Sequence, residues 1–109
     1  MITILAIGPS ASQMPALAAS RPSVEILTAA GAEEALEKLA RNRRIDAVLL
    51  LEDAPVREIA EMIHEEDPAS PPLFGPAGSG SIPRVHPTPD GTHESLIDFV
   101  IAHLSDEGG

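Results

Sequence analysis

"DAVLLLEDAP", Asp46 to Pro55, holds an unbroken apolar run, Ala47 to Leu51, that ends on the acidic pair Glu52-Asp53 and a proline. A strand wetted on one face alternates apolar and polar residues. A strand covered on both faces reads as a continuous apolar run, as in a parallel sheet with helices on each side. Pro55 then suits a first helical position, where a missing N–H costs little. The stretch therefore predicts a central parallel strand, an acidic loop and a helix. The strand's end is where open α/β sheets place their sites.

The same alternation extends in both directions. "ITILAIG" (Ile2–Gly8) is an apolar, β-branched run stopped by Gly8-Pro9, a strand and a break. In "SASQMPALAAS", Ser10 or Ser12 suits a helix cap, with Pro15 in the first turn. "SVEILTAA" (Ser23–Ala30) is a second strand. "GAEEALEKLARNRRI" is the clearest helix, with Ala35, Leu36, Leu39 and Ala40 on its apolar side and acids preceding bases along the dipole. "PVREIAEMIHEED" is a helix expected to bury Ile59, Met62 and Ile63. "PPLFG" and "IPRVHP" are short strands. "THESLIDFVIAHL" is a closing helix, with Thr92 as its cap and Leu96, Ile97, Val100, Ile101 and Leu104 as its buried stripe. Strand and helix alternate about five times, which implies an α/β sandwich around a parallel sheet, its functional edge at the C-terminal strand ends. Residues 1–104 form one domain on this reading, and 105–109 a flexible tail.

The totals agree. A chain of 109 residues fits one domain. Its apolar content, 43%, is that of a globular protein, although Phe74 and Phe99 are the only aromatics. The net charge of −10 works against binding a phosphate backbone, which needs clustered Lys and Arg. The densest basic group, Arg41 with Arg43 and Arg44, falls near a helix end, where it complements the dipole. The absence of cysteine removes disulfides, thiolate nucleophiles and Cys-based metal sites. No apolar run reaches the ~20 residues of a membrane span, and the first strand lacks the basic lead-in of a signal peptide. A cytoplasmic protein is expected.

"VEILTAAGAEEALEKLARNRRIDAVLLLEDAP" (Val24–Pro55) resembles the second strand, second helix and third strand-loop of the receiver domains of two-component response regulators. "ILAIGPS" is similar to that family's first strand and loop, and "RVHPTPDGTHESLIDFVIAHL" to its last strand and helix. The resemblance implies a flavodoxin-like (CheY-like), doubly wound, five-stranded parallel sheet. Only "GPAGSGSIPR" separates the fourth strand from the fifth, so the fourth helix is expected to be shortened or missing.

The resemblance also says which groups a working receiver needs. Acids after the first strand hold Mg²⁺, and an aspartate ending the third accepts the phosphoryl group. A Thr or Ser follows the fourth strand, and a lysine stands before a cis proline after the fifth. Hard cations want carboxylate oxygens, and developing phosphoryl charge wants cations and hydroxyl donors. Here Gly8 and Pro9 stand in the acidic-pocket positions. With Asp46 and Pro55 as anchors, Leu51 stands at the phosphoacceptor. Gly75 and Pro76 follow the fourth strand, with no hydroxyl until Ser79. His86-Pro87 replaces Lys-Pro. The expectation is a pseudo-receiver with no catalytic residues.

Other residues admit either chemistry or a plainer role. Glu52 and Asp53 are either a displaced phosphoacceptor (Asp53 in a shifted register) or metal site, or solvated residues before a helix that satisfy the free N–H groups of its first turn. Two carboxylates without further ligands make a poor Mg²⁺ site, which favours the second. "GPAGSGS" and "GPSAS" are candidate anion cradles, but the spacing of a nucleotide loop is missing. Among His64, His86, His93 and His103, His86 with His93 is the pair expected nearest the functional edge. No third ligand is indicated, so no metal is expected. His103 near a helix end suits the dipole. The expected function is a non-enzymatic, phosphorylation-independent signalling module without cofactor. Its partner would be a protein or a second copy, with no nucleic acid or membrane. The alternatives are a receiver phosphorylated at Asp53 and a small anion- or nucleotide-binding flavodoxin-like domain, its ligand over Ser10, Gly75 and His86.

Overall fold

The computed structural model describes residues 2–19, 23–42, 44–51, 55–66, 71–76, 82, 85–88 and 92–108. Five strands form one sheet: β1 (Ile2–Ile7), β2 (Val24–Ala29), β3 (Ala47–Leu50), β4 (Leu73–Gly75) and β5 (Val85–Pro87). Their spatial order is β2-β1-β3-β4-β5, and every pairing is parallel. This is the doubly wound, flavodoxin-like order, whose direction switches between β1 and β3. The Cα radius of gyration, 12.4 Å, lies near the roughly 13 Å of one compact domain of this length.

Side-chain alternation builds two apolar layers, one on each face. Leu5, Ile7, Val48, Leu50, Leu73 and Val85 point to the side covered by α2 (Ala32–Arg41) and α3 (Val56–Glu66). Ile4, Ala6, Ala47, Leu49, Leu51 and Phe74 point to the side covered by α1 (Met14–Ala18) and α4 (His93–Gly108). β3 is therefore buried at every position, as its unbroken apolar run predicts. Asp46 sits just before it and serves the backbone. Its carboxylate accepts the Thr3 N–H at 2.8 Å, and its own N–H donates to the Thr3 carbonyl.

α2 forms where expected, with Glu33 and Glu34 in its first turn and Lys38 and Arg41 in its last. It buries Ala35 and Leu39, and Glu34 reaches back to accept the Ala30 N–H at 3.2 Å. Thr92 caps α4 as expected: its hydroxyl accepts the Ser95 N–H at 3.2 Å. Among the described residues no helix lies between β4 and β5; Ile82 there joins the α2/α3 layer, as does Val85 of β5.

Four expectations change. The segment after β1 is a 3-10 turn (Pro9–Gln13) leading into the single turn of α1. Its caps are Gly8 and Gln13, neither with a side-chain cap bond, rather than a serine. Met62 is 41% exposed. On a wheel of 100° per residue, Ile59, Ala60 and Ile63 span the buried arc of α3, and Met62 falls about 60° outside it. α4 continues past Leu104 to Gly108 with no break at Ser105. His103 is thus not a helix-end residue; its ring turns toward the sheet, beside Phe74. Arg43 lies outside the described residues.

Candidate functional site

The C-terminal edge of the sheet at the β1/β3 switch is the place where this topology would hold a site. Ile7 is level with Leu50, so Gly8 and Leu51 are the next level up. The Leu51 N–H donates to the Ile7 carbonyl at 3.0 Å, and the Gly8 N–H to the Ala29 carbonyl at 2.9 Å. Both of these backbone donors are therefore used within the sheet.

Leu51 is 2% exposed and packs in the α1/α4 layer with Ala11, Met14 and Ile97. The position is thus filled by core hydrocarbon. Gly8, also buried, has φ 146° and ψ 164°. That region of backbone space is essentially closed to residues with a Cβ. The chain turns sharply there into the 3-10 segment, whose Ala11 N–H returns to the Gly8 carbonyl at 3.0 Å. Pro9 follows, exposed, at the start of that segment.

On the far side of the edge, Leu49 pairs with Phe74 and Phe74 with His86. His86 is therefore two residues short of Leu51's level, roughly 6–7 Å along the strand direction. One step beyond the Gly75–Pro87 pair, Thr88 reaches Leu51's level. Thr88 is 3% exposed, the one polar residue among the described residues that is buried as a whole. Its hydroxyl and its N–H both donate to the Gly75 carbonyl, at 2.7 and 2.9 Å. No peptide bond among the described residues is cis.

The remaining candidates are dispersed or lie elsewhere. Asp53 and Glu52 lie outside the described residues, as do Ser79 and most of "GPAGSGS". His93 opens α4 and is half-buried. His64 is on α3, both ring nitrogens buried without a hydrogen-bond partner among the described residues. The histidine that meets His86 is His103, not His93: their ring centres are 4.8 Å apart. Sequence spacing hides this pair, because only the packing of α4 across β4 and β5 brings position 103 beside position 86. Among the described residues no group of three or more His, Asp or Glu is gathered around one point. No helix among them is long and apolar enough to cross a membrane.

No protein-family model and no curated protein sequence matches the chain. Among solved structures, it is similar to a chain of the crystal structure of the P1 domain of CheA3 in complex with CheY6 from R. sphaeroides. The TM-score is 0.65 at 21% identity, over 96% of this chain and 97% of that one. It is also similar to the crystal structure of the Francisella novicida lysine decarboxylase LdcF, with a TM-score of 0.61 at 15% identity. That match covers 96% of this chain but 17% of the decarboxylase. At these identities the likeness is one of fold.

Proposed function

We propose that the chain is a pseudo-receiver: a signalling module that works without phosphorylation, by binding a protein partner or a second copy of itself. It would serve as the regulatory domain of a two-component-type regulator. The observation that carries the proposal is Leu51. At the level where a receiver presents its phosphoacceptor, this chain presents a leucine 2% exposed, closed over by α1 and α4. Gly8 beside it has a backbone that admits no carboxylate-bearing residue without strain. Thr88, at the same level on the other side, is neutral and already bonded to Gly75.

A fold without that chemistry still offers shape and surface charge. The structural match to a chain of a two-protein complex supports binding as the mode of action. On this reading the chain is not an enzyme, and it needs neither Mg²⁺ nor a cofactor to act.

The test is incubation of the whole chain with Mg²⁺ and acetyl phosphate, and in parallel with beryllofluoride. The expected result is an unchanged mass and unchanged amide resonances for Gly8 and Leu51. A hydroxylamine-sensitive phosphoryl adduct would overturn the proposal. Its disappearance in Asp53→Ala would transfer the function to a phosphoacceptor in the shifted register.

A further inference from the structure

β5 and α4 bring two imidazoles together below the level of Leu51. His86 is the middle residue of β5, level with Phe74 on β4, and alternation sends its side chain to the α4 face. His103 comes from α4. Their ring centres are 4.8 Å apart, with 50° between the planes. Phe74 packs against both, at 5.3 Å from His86 and 5.1 Å from His103, and Phe99 closes the group edge-on at 6.4 Å from Phe74. Both histidines are half-buried and rest against Phe74.

We propose that His86 and His103 are the protein ligands of a site for a borderline divalent transition ion, of the Cu²⁺, Ni²⁺ or Zn²⁺ class, with solvent in the remaining positions. Imidazole nitrogen is a ligand these ions prefer. Ca²⁺ and Mg²⁺, which require oxygen ligands, are excluded by the same donor set. The spacing fits: with metal–nitrogen bonds of about 2.0–2.1 Å, two rings sharing one ion have their centres roughly 5 Å apart. The chain's net charge of −10 draws cations toward it. Closed structural sites take four protein ligands, so a two-ligand site is exchangeable. The ion would tie the last helix to the edge strand, holding the folded state and leaving the unfolded chain, where the two residues are seventeen apart, unconstrained.

The whole chain is titrated with ZnCl₂, and separately with CuCl₂, while thermal unfolding is recorded and, for Zn²⁺, the histidine ring resonances. The expected result is a rise in Tm that saturates at one equivalent, tighter for Cu²⁺ than for Zn²⁺. The ring resonances of His86 and His103 move together, and those of His64 and His93 stay. His86→Gln and His103→Gln each weaken binding at least tenfold, and His93→Gln leaves it unchanged. Equal binding in His86→Gln, saturation at the His93 ring, or no change at millimolar Zn²⁺ would overturn the proposal. Should a glutamine variant fail to fold, the ring resonances of the unaltered chain decide alone.

Discussion

At Leu51 and Gly8 two neighbouring residues close the edge by different physics. Leu51 is held by packing: it is 2% exposed among apolar side chains of α1 and α4. Leu51→Ala should lower unfolding free energy by about 2–5 kcal/mol, the range for a buried leucine truncated to alanine. Leu51→Asp, which writes a phosphoacceptor back into the chain, should cost at least as much, because it buries a carboxylate without a partner. It should also gain no phosphorylation. Urea unfolding, read as a shift in midpoint at constant slope, measures both. Gly8 is held by its backbone, at φ 146°. Gly8→Ala should cost about 1–3 kcal/mol for the forced conformation. A cost near zero would show that the turn relaxes around a Cβ. The identity of Leu51 as a core residue was readable from the unbroken run before it. The backbone angle of Gly8 was not: a glycine before a proline marks a break but does not say which conformation the break requires.

Elements show the same division between what local pattern dictates and what packing decides. β1, β3 and α2 were readable because each carries a strong pattern: continuous apolar runs for the two strands, and an i, i+4 apolar side with ordered charges for the helix; β2 was readable from its partial alternation, with Glu25 exposed between Val24 and Ile26. Met62 was misplaced because a helix of mixed Ile, Ala and Met leaves the centre of its buried arc ambiguous; packing chose Ala60 over Met62. The pairing of His86 with His103 was unreadable for a related reason, since no local rule relates a strand residue to a helix residue seventeen positions later. Thr92 is the opposite case, a cap predicted from residue type and found in place. Its hydroxyl takes one of the free N–H groups of α4, while Ser95 donates from its own hydroxyl to the Thr92 carbonyl at 2.8 Å. α4 supplies Ile97 and Val100 to the layer that encloses Leu51, so weakening its start loosens the layer. Thr92→Ala should lower stability by about 0.5–2 kcal/mol, and Thr92→Ser should recover most of it. Equal stability of the two variants in urea would mean that the first turn of α4 is held by tertiary packing alone.

Over the whole molecule the dominant unbalanced quantity is charge: −10 on 109 residues. Some of the acids have local partners. Glu37 meets Arg41 at 2.9 Å and Glu34 meets Lys38 at 3.8 Å, both one helical turn apart on α2. Lys38 also donates to the Thr28 carbonyl at the end of β2. Exposed pairs of this kind contribute about 0–1 kcal/mol each, and seven bases cannot neutralise seventeen acids. The remainder repel one another more in the compact state than in the extended one. At 0.01 M salt the screening length is about 30 Å, longer than the domain's radius; at 0.15 M it is about 8 Å. Raising NaCl over that interval therefore silences the long-range repulsion while also weakening the two short pairs on α2. The repulsion is summed over the whole surface and each exposed pair contributes little, so the net effect should be stabilising. Tm should rise by several degrees in a thermal scan, since 1 kcal/mol corresponds to about 4–8 °C in a domain of this size. Zn²⁺ is kept out of this experiment with a chelator, so that screening is measured apart from binding at His86 and His103. A Tm that falls with NaCl would mean that the ion pairs and the Asp46–Thr3 contact outweigh the repulsion. The acidic surface would then be a balanced one, not a standing cost that a basic partner could relieve.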